Sequence, residues 1–194
     1  MAAPALVLAS TSPHRRALLQ RLGLPFTAVA PGVDETRSFK EPVGELVKRL
    51  SRAKAEAVAK AHPGALIIGS DQAAEREGEI LGKPGGHPEA VAQLKAASGK
   101  YLKFHTGLCL LDTRDGSRRE HTDVTRVIFR TLKDDEIERY LQAEKPYDCA
   151  GSFKSEALGI TLFEGIESSD PAALIGLPLI ALARFLREAG IQLP

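Results

Sequence analysis

The chain has 194 residues, 43% of them hydrophobic and 26% charged, with a formal net charge of +1. Such a profile fits one soluble globular domain spanning 1–194, and it supplies no polycationic field that would hold nucleic acid by neutralising phosphates. No stretch approaches the roughly 20 apolar residues that cross a bilayer. Cys109 and Cys149 follow no metal spacing and read as reduced thiols. Met1–Ala5 has neither a basic region nor a long apolar core, so a cytoplasmic protein is expected.

The apolar run Leu6–Ala9 predicts a buried strand. It stops at Ser10-Thr11-Ser12-Pro13, where a favoured N-cap and a first-turn proline open a helix running to Leu22 and closed by Gly23. Thr27–Ala30 reads as a short strand. From Pro42 to Lys60, Val43, Leu46, Val47, Leu50, Ala53, Ala57 and Val58 recur at three and four, placing one apolar stripe on a long helix with Lys48, Arg52 and Glu56 outward. Ala65–Gly69 is a buried strand, His87–Ala97 a helix stopped by Ser98-Gly99. Tyr101–Leu111 and Thr122–Arg130 are two long strands joined by the turn-rich 112–117 segment, with Arg118-Arg119 read as solvated loop charges. Lys133–Ala143 is an amphipathic helix, Ala157–Phe163 a strand and Pro178–Ala189 a closing helix. Strands and helices alternate throughout, which predicts an α/β fold with a mixed, largely covered sheet containing one antiparallel pair.

Three segments carry the chemistry. The first brings hydroxyls, first-turn amides, Arg15 and Arg16 to one helix start, which is how an anion site is built; an ordinary capped helix with solvated arginines would also use them. In the second, Asp71 follows Gly69 and Ser70 at the end of a buried strand, where such folds hold ligands; a helix cap or Asx turn would also use it. Gly82-Lys83-Pro84 then holds a lysine in a constrained turn, as a phosphate ligand or a solvated residue. The third is Cys149 to Glu156, in which Phe153 would stack on a base or belong to the core. Asp34 and Glu35 sit in a loop where either can turn toward a metal and, with Asp71, supply the oxygens that Mg²⁺ or Mn²⁺ takes beside phosphates. Asp134-Asp135 is explained by the helix dipole. The five histidines show no metal spacing, and neither a dinucleotide fingerprint nor a P-loop occurs.

Together these segments resemble the Maf family of nucleoside triphosphate pyrophosphatases, nearly end to end. The resemblance rests on Leu8 to Arg16, Val33-Asp34-Glu35, Gly69-Ser70-Asp71-Gln72, Gly82-Lys83-Pro84, Ser98-Gly99, Thr106-Gly107, Ala150-Gly151-Ser152-Phe153 and Leu174-Ile175-Gly176-Leu177-Pro178. Gly-Ser-Asp-Gln, with Ala-Gly-Ser-Phe-Lys-Ser-Glu later, looks like the branch acting on 7-methyl-GTP. The resemblance implies a Maf/ITPase-like mixed twisted sheet flanked by helices, with a cleft between two lobes. It also implies hydrolysis of the α–β phosphoanhydride with a divalent cation (Mg²⁺ or Mn²⁺), a small nucleotide as the only substrate partner, and a homodimer. By position it makes Asp71 the proton acceptor. It puts Ser10, Arg15, Lys54 and Lys83 around the triphosphate, His14, Gln72 and Glu156 at the base, and Glu35 with Asp71 at the metal. Position 14 is His where this branch often has a larger aromatic, and Ala157 stands where a glycine is expected. The same chemistry on UTP, dTTP or another nucleotide, and a non-catalytic regulator of septum formation, stay open at this level.

Overall fold

The computed structural model describes residues 4–194; Met1–Ala3, part of the segment read above for a leader pattern, lie outside the described residues. Its strands are β1 (Leu6–Ala9), β2 (Thr27–Val29), β3 (Leu66–Arg76), β4 (Glu79–Leu81), β5 (Tyr101–Asp112), β6 (Arg118–Phe129) and β7 (Phe163–Glu167). Its helices are α1 (Pro13–Gln20), α2 (Val43–Ala59), α3 (His87–Ala97), α4 (Asp134–Glu144) and α5 (Leu179–Glu188). The sheet runs β2-β1-β3-β5-β6-β7 with β4 beside β3. It is mixed: β1 pairs parallel with β2 and β3, while β3–β4 and β6–β7 are antiparallel. Bonds from the Asp112 N–H to Ser117 O (2.9 Å) and from the Phe129 N–H to Lys100 O (2.8 Å) set β5 and β6 as the expected hairpin.

The chain divides into two compact units. In the first (residues up to Gln72, Thr106–Asp123 and Asp170–Pro194), alternation along β1 sets the layers. Leu6 and Leu8 pack with Leu18 and Leu19 of α1 and Leu182, Phe185 and Leu186 of α5. Val7 and Ala9 turn to Ala55 and Val58 of α2. Both faces are covered, which is why β1 and the start of β3 read as unbroken apolar runs. In the second unit (Ala73–His105 and Val124–Ser169), Phe153 lies edge-on to Phe104, Phe129 and Phe163 at centroid distances of 4.9–5.7 Å. That places Phe153 in the core and not on a base.

Several expectations are corrected. Strand β3 does not end at Gly69 but runs to Arg76 and returns through Glu77-Gly78, both at positive φ, into β4. Asp71 is therefore a mid-strand residue, not one at a strand end. Ala157–Phe163 is not a strand: Leu158–Leu162 is a 3₁₀ turn and extended pairing starts at Phe163. A Cβ at Gly159 would overlap the Lys154 carbonyl, so the chain doubles back there. Arg118 and Arg119 are strand residues paired with Glu56 and Glu188, not loop charges.

Candidate active site

Two glycines bring α2 down onto the sheet. A Cβ added at Gly69 would overlap the Ser51 carbonyl oxygen and lie 2.9 Å from the Ala55 nitrogen; one at Gly107 would lie 2.5 Å from the Val47 oxygen. With no side chain between them, the helix backbone rides directly on β3 and β5. Lys54 lies one turn beyond Ser51, and Asp71 lies two residues beyond Gly69 on the same strand face. The two meet in a buried pair, Lys54 Nζ to Asp71 Oδ1 at 2.6 Å, with side chains only 6% and 10% exposed. Lys54 falls inside the apolar stripe, four residues after Leu50 and four before Val58, while Ala53 and Ala57, assigned to that stripe from spacing, are not buried.

Glu35 completes the group. Its Oε1 lies 2.7 Å from the same ammonium although the side chain is 60% exposed. Asp34 is engaged otherwise: Thr36 donates to its Oδ1 through both hydroxyl (2.6 Å) and amide (2.9 Å), which holds the carboxyl below the usual range. Of the two adjacent acids, Glu35 faces Lys54 and Asp34 builds the turn. Arg49 fixes this loop with a two-pronged pair to Glu41 (2.7 and 2.9 Å) and a bond to Thr36 O (3.1 Å).

The opposite face of β3 holds the segment after Asp170. Ser70 Oγ donates toward Gly107 O (2.7 Å) and Gly176 O (3.1 Å). Gln72 Nε2 donates to Thr106 Oγ1, Ala173 O and Leu174 O at 2.9–3.0 Å. The amide nitrogen of Gln72 is thus consumed inside the fold, leaving Oε1 as the end able to meet a ligand. Gly176, at φ +129°, also accepts from Arg15 Nε at 2.9 Å, and this single carbonyl pins the guanidinium. Burial pushes the Arg15 pKa down, opposed by the negative charges of Asp71 and Glu35. Arg15, Lys54, Asp71 and Glu35 therefore form one alternating charge group in the first unit. Motifs around Thr106 and Gly176 signalled the supporting residues, although spacing assigned them no role.

At the start of α1 two amides expected to serve an anion are taken internally. The Ser12 N–H bonds Ser10 Oγ (3.1 Å) and the Arg15 N–H bonds the N-cap Ser12 Oγ (3.3 Å). Ser10 is buried and His14 half-buried beside them. In the second unit Lys83 is exposed on the loop after β4, with no ion pair or hydrogen bond among the described residues. Glu156, also exposed, accepts from Ser155 Oγ at 3.3 Å.

Among the described residues no three His, Cys, Asp or Glu side chains gather into a metal cage. The donor set near Lys54 is two hard carboxylates, Asp71 and Glu35. It matches a cation that keeps water and takes one or two carboxylates together with substrate phosphates.

Residues 5–189 match the Maf-like protein family. The chain is 55% identical over 191 residues to a protein of Hydrogenovibrio crunogenus named 7-methyl-GTP pyrophosphatase, covering 98% of this chain and 96% of that one. It is 53% identical to a protein of the same name from Alcanivorax borkumensis, covering 98% and 97%. The fold is similar to that of the Staphylococcus aureus Ham1 protein, with TM-score 0.53 and 15% identity over 95% of this chain and 99% of that one. No described helix is long and apolar enough to cross a membrane. With nearly every residue inside the family match and relatives more than half identical along its length, the chain belongs to the Maf-like protein family.

Proposed function

We propose that this protein hydrolyses 7-methyl-GTP to 7-methyl-GMP and pyrophosphate, and so clears a modified nucleotide from the cytoplasmic pool. The observation that carries the reading is the buried Lys54–Asp71 pair with Glu35 on the same ammonium, in a chain whose half-identical relatives bear that activity in their names. A triphosphate brings about four negative charges near neutral pH, so its cleavage demands cations and donors where charge develops. Arg15, Lys54 and Lys83 meet that demand with Ser10 as a hydroxyl donor, and Arg15 is held in place by Gly176 O.

Water attacks the α-phosphorus, the bond from that phosphorus to the bridging oxygen breaks, and pyrophosphate leaves with the electron pair. Asp71 accepts the water proton. Lys54 holds its Oδ1, which orients the carboxylate and directs the other oxygen toward water. Glu35 and Asp71 would hold a divalent cation, which when bound supplies Lewis-acid stabilisation of phosphoryl oxygens. His14, the Gln72 oxygen and Glu156 take the base; the N7-methylated ring is cationic, and the Glu156 carboxylate favours it over plain GTP.

The test is a pyrophosphate-release panel with Mg²⁺ or Mn²⁺ across 7-methyl-GTP, GTP, UTP, dTTP, CTP and ITP, run on the wild type and Asp71→Asn. The expected outcome is the highest kcat/KM on 7-methyl-GTP and a loss of about 10² to 10⁴ in the variant. UTP or dTTP winning the panel rejects the base assignment, and full activity of Asp71→Asn rejects the proton acceptor.

A further inference from the structure

Lys83 sits on a loop that its own residues do little to order: Gly82, Gly85 at φ +72° and Gly86 surround it, and the lysine has no partner among the described residues. Two tethers hold that loop within the second unit. At its far end the Gly85 N–H bonds Tyr147 O (2.9 Å). Tyr147 is in turn fixed through its hydroxyl to His87 Nδ1 (3.0 Å), whose Nε2 meets Glu138 (2.9 Å). At its near end Gln93 of α3 donates from Nε2 to Gly82 O at 3.0 Å.

The other end of the Gln93 amide reaches a different segment. Its Oε1 accepts from Ser152 Oγ at 2.6 Å. A carbonyl can only accept, so Gly82 O dictates which way the amide faces, and Ser152 must donate. Ser152 is fully buried and stands at φ +62° after Gly151 at φ +78°, two successive left-handed residues in the turn that leads to Glu156. A non-glycine residue keeps that conformation only where its surroundings hold it.

We propose that Gln93 is a positioning residue: one side-chain amide sets the Lys83 loop against the Gly151–Ser152 turn, and so fixes the phosphate lysine relative to the base-facing segment ending at Glu156. The inference rests on the reading of Lys83 and Glu156 as substrate groups given above. Without the amide the Lys83 loop loses its fixed place against the Gly151–Ser152 turn.

Gln93→Met keeps a similar volume on α3 and removes both bonds. In the full chain, hydrogen exchange read by mass spectrometry is expected to speed up about tenfold in peptides covering 82–86 and in those covering 151–155. An unchanged rate in either segment overturns the coupling. In the pyrophosphate assay, kcat/KM for 7-methyl-GTP is expected to fall about tenfold, and the same change in a Lys83→Ala background to fall by less than about twofold. A full tenfold effect in that background overturns action through Lys83. A wild type that hydrolyses no nucleotide overturns the proposed function instead, and the exchange rates still decide the tether.

Discussion

Replacing Lys54 by methionine removes the ammonium that Asp71 and Glu35 share. Glu35 is 60% exposed and turns to water, but Asp71 stays buried, with the charges of Arg15 and Arg49 still acting on it. Stranding one member of a buried pair costs about 3–5 kcal/mol. Arg15 and Arg49 place this case near the lower end, about 3 kcal/mol, and at about 2–3 kcal/mol/M the urea midpoint falls by about 1 M. The double variant Lys54→Met/Asp71→Asn leaves no stranded charge and is expected to recover about 2 kcal/mol relative to the sum of the single changes. Unfolding is best followed by far-ultraviolet dichroism, because the chain has no tryptophan and its three tyrosines lie in the other unit. A midpoint shift below about 0.3 M, or strictly additive changes, would refute the reasoning that this pair is buried and coupled.

Three further outcomes follow from the geometry. Gly69→Ala drives a methyl into the Ser51 carbonyl, which α2 relieves only by lifting; a loss of about 1–3 kcal/mol in urea unfolding and a fall in activity are expected, whereas wild-type stability would mean the helix does not lie on the strand. Gln72→Glu sets a carboxylate against Thr106 Oγ1, Ala173 O and Leu174 O, and a loss of about 2–3 kcal/mol is expected; an equally stable variant would show that the side chain does not sit among these three acceptors. Arg49 holds the Glu41 pKa down to about 2. A depressed carboxyl contributes above its ordinary range and loses that contribution as pH falls from about 4.5 toward 2, so the loop bearing Glu35 is expected to loosen across that window. An NMR titration of Glu41 with a midpoint in the ordinary carboxylate range, or one unmoved by Arg49→Ala, would contradict this.

Local signals were legible where one cause acts alone. Leu6–Ala9 and His87–Ala97 coincide with β1 and α3, because a doubly covered strand is apolar throughout and Ser98-Gly99 marks a stop. Gly69 was misread because a glycine in an apolar run looks like a breaker. Here it admits the backbone of α2, and the strand continues for seven residues beyond it, through Arg76. The same close approach hides Lys54, whose place in the apolar stripe makes sense only beside an acid 17 residues away. Gln72 and Ser12 show the complementary limit. Both stand where a ligand group would, yet the fold uses the Gln72 amide nitrogen and the Ser12 amide and hydroxyl first, and partners such as Ala173 are distant in sequence.

The most direct test of the central claim is hydrolysis of 7-methyl-GTP in oxygen-18 water, with both products weighed by mass spectrometry. Attack at the α-phosphorus places one heavy oxygen in 7-methyl-GMP and none in pyrophosphate, and that is the expected result. Label in the pyrophosphate, or release of 7-methyl-GDP and phosphate, would contradict it.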